Sequence, residues 1–245
     1  MRETNIPFSL LITVMDEEEN IKPVLREIAA ALKDGEPDSY EFVFVDDGSR
    51  DNTVAELLSL RTEMPMLRVI KHDRNFGKST ALRTGFVAAR NDIVAMMDGD
   101  GQNDPSDVLR LIAPFKSGDP MLGLVAGQRI RRADTLRKQL ASRWANKQRQ
   151  SLLKDGARDS VCGLKAMRRD VFLRLPFFDN IHRYLIALVI REGYRTELID
   201  VIDRPRAAGH SKYGIWDRAM VGIPDLFGMV WLRRRWRGVP NPTEL

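Results

Sequence analysis

The amino-acid sequence predicts an α/β fold in which helices flank a mostly parallel, Rossmann-like central sheet. Short apolar runs rich in β-branched residues alternate with segments whose apolar residues recur at helical spacing. Polar residues follow directly after these runs, as they do where the carboxyl ends of parallel strands form a ligand site. Together these observations indicate a doubly wound sheet.

The expected strands are continuous apolar runs, which are typical of strands buried on both faces. They lie at residues 8–14, 41–45, 67–70, 92–97 and 122–126. The helices predicted between them lie at residues 18–32, 53–64, 78–89 and 105–115. Pro105 suits a first helical turn, because its missing N–H is one that a helix leaves unpaired there.

The pattern changes after Arg129. The expected elements are a basic helix through about residue 153, a strand-like return at 160–166, a short helix at 169–174, an apolar helix at 183–191 and a last strand at 196–202. Residues 215–236 are apolar and aromatic with a basic end, which is typical of an interfacial amphipathic segment. We therefore expect a main domain at residues 1–213 and an associating segment at 214–245.

Composition and charge restrict the function classes. The 245 residues, 43% hydrophobic and 30% charged, suffice for one α/β domain with an appendage. The net charge of +5 is modest, but basic residues cluster at 129–149 and again at 233–237. Such clusters suit an anionic partner: phosphate, lipid headgroups or nucleic acid. We expect no nucleic-acid partner, because the basic residues accompany acidic strand ends and no recognised binding motif.

Cysteine use and hydropathy predict a cytoplasmic protein. The single Cys162 excludes an internal disulfide, and the N-terminus lacks the apolar core of a secretory signal. The best candidate for a membrane span, residues 219–232, is shorter than the roughly 20 residues needed and contains Pro224 and Asp225.

Asp98 and Asp100 form the most informative pair. They follow a buried strand one residue apart, and their mutual repulsion is costly unless a cation or a donor lies near them. Mg²⁺ or Mn²⁺ typically takes one or two carboxylates and completes its shell with phosphate oxygens and water. Gly99 would let a ligand approach the backbone, and Gln102 offers a neutral ligand. The alternative is a solvated turn in which Asp104 caps the next helix.

Two other strand ends also carry polar groups. Asp46 and Asp47 could accept hydrogen bonds from a nucleoside, although a β-turn with a helix cap would also use such residues. In the run from Asn75 to Lys78, a glycine opens a helix beside a lysine, which makes either an anion site or an ordinary helix start. The basic helix after Arg129 could bind a second phosphate or be a solvated face. His210 and Cys162 lack the neighbours of a metal site or a catalytic dyad.

Taken together, these residues resemble the family 2 inverting glycosyltransferases of GT-A fold, within them the polyprenyl-phosphate, dolichol-phosphate mannose synthase-like branch. The matching motifs span roughly residues 8–213 in the family's order. They are MDEEEN at 15–20, VDDGSRD at 45–51, RNFGK at 74–78, DGDGQ at 98–102, DSVCGLK at 159–165 and GHSKY at 209–213. Each motif alone is weak, whereas the ordered set is specific.

The resemblance implies a role for each matching position. The nucleotide-sugar would contact Thr13, Val14, Glu17, Asp46, Asp47, Asn75, Lys78, Asp98 and Gly99. The metal, Mg²⁺ or Mn²⁺, would be held by Asp98, Asp100 and Gln102. The acceptor phosphate would be bound by Arg129, Arg137, Arg204, Ser211 and Lys212. The catalytic residues would be Asp100, Arg129 and Arg137.

The expected reaction is metal-dependent, inverting transfer of a sugar from a UDP- or GDP-sugar to a polyprenyl phosphate on the cytosolic membrane surface. Residues 215–237 would contact that surface, or else a second copy or a membrane-protein partner. One alternative is a family 2 transferase with a glycan or other hydroxyl acceptor, which would need a carboxylate base. Another is a non-catalytic membrane adaptor, whose role should survive Asp100→Asn.

Overall fold

The structure, a computed structural model, describes residues 6–32, 39–130, 149–204 and 215–238. Its strands are β1 Phe8–Val14, β2 Tyr40–Asp46, β3 Leu67–Lys71, β4 Ile93–Asp98, β5 Leu122–Arg129, β6 Lys165–Arg168 and β7 Arg195–Val201. Its main helices are α1 Glu18–Leu32, α2 Thr53–Ser59, α3 Lys78–Ala88, α4 Ser106–Ile112, α5 Arg169–Arg174, α6 Leu185–Arg191 and α7 Ile215–Arg235.

The strands form one sheet in the order β3-β2-β1-β4-β6-β5-β7. Only β6 runs against its neighbours, β4 and β5, and the other pairs are parallel. This confirms the predicted mostly parallel sheet. It also brings the carboxyl ends of β1, β2, β4, β5 and β7 to one edge, where ligands bind in sheets of this kind.

The core lies on both faces of the sheet because successive side chains of a strand point to opposite sides. Leu10 and Ile12 of β1 join the cluster under α1 and α4, whereas Leu11 joins the cluster under α3 and α6. Phe86 of α3 stacks on Phe172 of α5, with ring centroids 3.7 Å apart. The interpretation of the apolar runs as strands buried on both faces is therefore confirmed for β1, β2, β4 and β5, but it was wrong for β3, an edge strand that is mostly only partly buried.

Two of the predicted boundaries differ most from the structure. The helix expected at 53–64 ends at Ser59 and continues as turns. The return strand expected at 160–166 begins only at Lys165. The buried amide of Gln128 accepts hydrogen bonds from the backbone N–H groups of Arg158 and Asp159 at 2.8 and 3.0 Å. This side-chain anchor holds the preceding loop outside the ladder.

Helix α7 packs one face on the protein and exposes the other. Met229 is buried among core residues, and Leu226 and Val230 pack against the same cluster. Ile223, Phe227 and Trp231 are 58%, 66% and 59% exposed. None of the helices in the described residues is both long and apolar enough to cross a membrane.

Candidate active site

The residues 98–102, here called the 98–102 turn, leave the sheet at the end of β4. A side chain at Gly99 would place its Cβ 2.6 Å from Cγ1 of Val14, so the turn can lie against β1 only with glycine there. The Asp100 carboxylate accepts a hydrogen bond from the backbone N–H of Gln102 at 3.2 Å. Asp104 accepts one from Ser106 at 2.9 Å, so α4 is capped without using either carboxylate of the pair.

Asp98 faces lysines. Its carboxylate forms an ion pair with Lys78, the first residue of α3, and both side chains are about one-third exposed, 32% and 35%. Burial acts to raise the pKa of Asp98, but the Lys78 ammonium, with the charge of Lys165, holds that pKa below its usual value. Gly163 allows this arrangement, because a Cβ there would overlap the Asp98 carboxylate. Asp98 is therefore ionised and oriented by Lys78.

Asp100 faces a second acidic group across the site. Burial raises the pKa of Asp203, which lies just after β7, and the negative charges of Asp100 and Asp159 raise it further, against the opposing effect of Arg129. Acidic groups that lie close together favour a nearby cation. Within the described ranges, no three His, Cys, Asp or Glu residues are grouped to hold a metal.

The side chains of Asp98, Asp100 and Gln102 fit Mg²⁺ or Mn²⁺ bound together with a substrate. Such ions take one or two protein carboxylates and fill the remaining positions with phosphate oxygens and water. Asp98 and Asp100 supply carboxylates and Gln102 an amide, so the predicted ligands lie on one short turn. Their role as ligands stays a prediction.

Arg129 lies at this edge but already has partners. Its Nη2 donates to Asp159 at 3.2 Å and its Nη1 to Asp203 at 3.2 Å, while its Nε also contacts Asp159. Burial acts to lower the pKa of Arg129, but the contacts with these carboxylates raise it overall. The predicted phosphate contact would therefore need the guanidinium to exchange a carboxylate for a phosphate.

Arg204 lies at the rim of the 98–102 turn. Its side chain pairs with Asp104 at 2.6 Å and with Glu27, and its backbone N–H donates to the carbonyl of Gln102 at 2.8 Å. The structure thus places Arg204 beside the predicted metal ligands. Arg137, Ser211 and Lys212, the other predicted acceptor ligands, lie outside the described residues.

Asp46 is the strongest nucleoside ligand candidate. Its side chain is fully buried at the end of β2, and one oxygen accepts from the backbone N–H of Ser49 at 3.1 Å. The other oxygen, Oδ1, has no hydrogen-bond partner among the described residues. A buried acceptor without a partner is uncommon in proteins, and the role of Asp46 as a nucleoside ligand stays a prediction.

The neighbouring positions have local partners. Val14 is buried and its carbonyl accepts from the N–H of Asp47 at 2.9 Å, whereas Thr13 is half-buried beside it. Glu17 accepts from the side chain of Asn20 at 2.7 Å. These three residues, which were predicted to contact the nucleotide-sugar, lie at the carboxyl edge of the sheet, at or just after the end of β1.

Asp47 shapes the loop between β3 and α3. Its carboxylate accepts from the backbone N–H groups of Phe76 and Gly77 at 2.9 and 2.8 Å, and it contacts His72 Nδ1 at 2.8 Å. Asn75 lies in the same loop, where its side-chain oxygen accepts from Gly77 at 3.0 Å. Asp47 thereby holds the loop that leads into Lys78. Its predicted contact with the nucleotide-sugar stays a prediction.

Sequence reasoning missed two histidines. His72 links Asp47 to Thr84, with its Nε2 2.9 Å from the threonine hydroxyl. His182, 3.1 Å from the Ser79 hydroxyl, lines a small cavity with Lys78, Asp98, Cys162 and Lys165. Burial places the pKa of His182 well below 6.5, and the nearby lysines lower it further, so the ring is neutral at neutral pH. The position of His72, directly after β3, could have identified it as a residue of the ligand edge. No local sequence pattern marks His182.

The chain matches the family model described as "Glycosyl transferase family 2" over residues 9–175. It is 31% identical over 243 residues to a dodecaprenyl-phosphate galacturonate synthase of Rhizobium johnstonii, covering 96% of this chain and 71% of the relative. It is 34% identical over 209 residues to an undecaprenyl-phosphate 4-deoxy-4-formamido-L-arabinose transferase of Pectobacterium atrosepticum, covering 84% of this chain and 62% of that relative.

Solved structures share the fold. The mannosyltransferase PcManGT from Pyrobaculum calidifontis, in complex with GDP-Man and Mn²⁺, is 21% identical, with a TM-score of 0.67 over 98% of this chain and 67% of that one. Glucosyl-3-phosphoglycerate synthase from Mycobacterium tuberculosis, in complex with Mn²⁺, UDP and phosphoglyceric acid, is 18% identical, with a TM-score of 0.69 over 95% and 80%. These likenesses confirm the GT-A fold, and the family match shows that this chain belongs to glycosyl transferase family 2.

Proposed function

We propose that this chain transfers a sugar from a UDP- or GDP-linked donor to a polyprenyl phosphate at the cytosolic membrane surface, with inversion and with Mg²⁺ or Mn²⁺ as cofactor. The observation that carries the proposal is the position of the 98–102 turn beside Lys78 at the carboxyl edge of the sheet. Support also comes from relatives that bear the names of polyprenyl-phosphate sugar transferases.

The donor half of the reaction uses the first four strand ends. Asp98, Asp100 and Gln102 would hold the divalent ion, which when bound supplies positive charge to the departing nucleoside diphosphate. Lys78 adds a partly exposed ammonium at the first turn of α3, where backbone N–H groups also favour an anion. The unpartnered oxygen of Asp46 would accept a hydrogen bond from the nucleoside.

The acceptor half needs no strong base. A phosphate monoester is already ionised near neutral pH, so its oxygen can attack the anomeric carbon without losing a proton to the protein. Arg129 and Arg204 would orient it by exchanging carboxylate partners for phosphate, and Arg137, Ser211 and Lys212 are proposed from their motifs alone. Inversion follows from direct displacement.

The exposed stripe of α7, which we define as Ile223, Phe227 and Trp231, supports a membrane position. Residues four apart share one helical face, and this face is opposite the buried Met229. Arg234 and Arg235 follow at its end, and the Arg235 guanidinium lies 5.8 Å from the centroid of the Trp231 ring. An apolar stripe that ends in basic residues suits the boundary between acyl chains and anionic headgroups.

A hydroxyl acceptor is the second candidate, because one carboxyl group at this edge has the property of a base. The raised pKa of Asp203 makes its carboxylate a better proton acceptor than an ordinary aspartate. Its contact with Arg129 opposes that role. The phosphate acceptor therefore remains the leading proposal.

The test is a transfer assay with purified protein, labelled nucleotide-sugars, Mg²⁺ or Mn²⁺ and a polyprenyl phosphate. The matched acceptor control is the polyprenol of the same length, and the matched enzyme control is Asp100→Asn. We expect lipid-linked sugar only with the phosphate and the unaltered enzyme. Absence of lipid-linked product across a broad donor panel would contradict the proposal, and transfer to hydroxyl acceptors without any phosphate would favour the second candidate.

A further inference from the structure

Lys165 is a charged residue in the interior of the sheet. It is the first residue of β6 and pairs with Met96 of β4 and Ala126 of β5. Its side chain is 3% exposed, and its ammonium donates to the carbonyl oxygen of Cys162. A neutral carbonyl compensates only part of the several kcal/mol that removing an ammonium from water costs. Lys165 therefore depends on nearby anionic groups.

Burial lowers the pKa of Lys165, whereas the charges of Asp98 and Asp159 act to raise it, and Asp98 lines the same small cavity as Lys165. Each carboxylate is already part of an ion pair, Asp98 with Lys78 and Asp159 with Arg129. Lys165 therefore acts on Asp98 through the segment that it holds, because Gly163 lies directly against the Asp98 carboxylate.

A second series of contacts leads from Asp159 through Arg129 to the 98–102 turn. Arg129 also bonds Asp203 at 3.2 Å, and Asp203 accepts from the side chain of Asn103 at 3.4 Å. The Asn103 oxygen in turn accepts from the backbone N–H of Asp98 at 3.3 Å. Asp98 and Asn103 are the two ends of the segment that carries Asp100, so the contacts fix both ends of the predicted metal-binding turn.

We propose that Lys165 is a positioning residue: its ammonium holds the Cys162–Gly163 segment against Asp98 and, with the Asp159–Arg129 contacts, keeps the turn placed so that Asp100 and Gln102 face the donor diphosphate and its cation. This rests on the proposed function, because it assigns Lys165 to the donor site. Lys165 touches neither substrate nor metal in this role. Groups that support metal ligands from behind typically change affinity by roughly 10- to 100-fold when they are removed.

The direct test is Lys165→Met, which keeps an unbranched side chain of similar length and removes its charge. Calorimetric titrations with UDP and with GDP, each with Mn²⁺, measure donor-site affinity, and the EPR signal of free Mn²⁺ measures binding of the ion alone. The matched control is Arg168→Met in the same strand, whose guanidinium bonds the carbonyls of Leu122 and Asp119 at the other end of β6.

Both variants are expected to lower the melting temperature. Only Lys165→Met should weaken the Kd for nucleoside diphosphate with Mn²⁺, by about tenfold. A Lys165→Met protein that binds as tightly as the unaltered protein would show that the lysine is structural only and would overturn the proposal. An equal loss of affinity in Arg168→Met would overturn it as well.

A second pair of variants covers the case in which Lys165→Met does not fold. Asp159 and Asp155 are both buried and both bonded by an arginine, Arg129 and Arg149 respectively, but only Asp159 belongs to the series around the turn. We expect Asp159→Asn to weaken nucleotide and Mn²⁺ binding and Asp155→Asn to leave it unchanged. Equal binding by the two variants would contradict the proposal.

The two proposals can fail separately. If the unaltered protein binds neither UDP nor GDP with Mn²⁺, the proposed function is contradicted at the donor site. If it binds one of them and the Lys165 and Asp159 variants bind it equally well, the donor site stands and only the positioning role is contradicted.

Discussion

Buried carboxylates on the two halves of the sheet include examples that are held by two different means. In the half formed by β3, β2, β1 and β4, Asp47 accepts from the backbone N–H groups of Phe76 and Gly77. In the half formed by β6, β5 and β7, Asp159 and Asp155 are bonded by arginine side chains. Backbone donors are neutral and are fixed by the local chain, whereas each ion pair needs two distant residues. Asp47 should therefore tolerate the loss of one partner better than Asp159 or Asp155.

The largest loss in the free energy of unfolding is expected from Arg129→Met. This change leaves the carboxylates of Asp159 and Asp203 without their guanidinium, and breaking a buried pair from one side typically costs about 3–5 kcal/mol. Urea denaturation would measure the free energy of unfolding. The double variant Arg129→Met with Asp159→Asn should recover part of the loss, because one of the unpaired charges is gone.

Two outcomes would contradict this account of the second half. A loss below about 1 kcal/mol, the usual range for exposed ion pairs, would mean that Arg129 is effectively solvated. A double variant no more stable than Arg129→Met alone would mean that the cost comes from packing of the arginine stem and not from its charge.

The same contrast explains what the sequence could predict. In the first half, β1 and α1 match their predicted bounds, and Asp98 and Asp46 lie at strand ends where a doubly wound sheet places its ligands. Those predictions need only local periodicity and the geometry of parallel strands. Their physical basis is contained within each strand and the loop that follows it.

The second half was less predictable because its contacts link distant residues. Arg129 meets Asp159 and Asp203, which are 30 and 74 residues away, and His182 meets Ser79, which is 103 residues away. No repeat or spacing in the chain encodes these pairings. The antiparallel course of β6 had no local signal either, although Lys165 lies within a motif that the sequence analysis quoted.

A smaller effect is expected from Asp47→Asn in the first half. The amide keeps one acceptor oxygen but turns an NH₂ group towards the backbone donors, so the free energy of unfolding should fall by about 1–3 kcal/mol. Urea denaturation measures this change under the same conditions. The control Asp73→Asn alters an exposed aspartate of the neighbouring loop and should stay within about 0.5 kcal/mol.

The result for Asp47→Asn tests the difference between the two means of support. If Asp47→Asn costs as much as Arg129→Met, the proposed difference between backbone-held and arginine-held carboxylates is wrong. If it also weakens binding of nucleoside diphosphate with Mn²⁺, Asp47 acts on the donor site through the loop that carries Asn75 and Lys78.

The exposed stripe of α7 should let the second half of the molecule bind anionic membranes, and we expect no such binding by the first half. Phe227→Ala should reduce binding to anionic vesicles by roughly tenfold, since burying a phenyl ring in an apolar phase is worth about 1.5–3 kcal/mol. It should leave the free energy of unfolding nearly unchanged, because Phe227 is 66% exposed. Cosedimentation with phosphatidylglycerol vesicles measures the binding.

The matched control is Leu58→Ala, which removes an exposed apolar side chain from α2 in the first half. Unchanged vesicle binding is expected for it. Equal reductions in the two variants would mean that vesicle binding is a general property of exposed apolar residues and would remove the argument for α7.

The smallest effect is a pH dependence at the junction of the two halves, where His182 contacts Ser79 of α3. Because burial holds the pKa of His182 well below 6.5, the unfolded chain takes up a proton near that pH and the folded chain does not. The stability from His182 is therefore complete above about pH 6.5 and decreases as pH falls towards the folded pKa, by at most about 1.4 kcal/mol per pH unit. Asp203 acts in the opposite direction at lower pH, since its raised pKa favours the protonated fold.

Comparison with His182→Gln isolates the histidine, because the variant keeps Asp203 and cannot titrate at this position. Between about pH 7.5 and pH 5.5, the unaltered protein should lose about 1 kcal/mol more of its free energy of unfolding than the variant does. Parallel stability curves would mean that His182 is protonated in the folded protein. The positive charge of the imidazolium would then lie beside Lys78 and Lys165, and the charge pattern inferred for the cavity between the two halves would have to be revised.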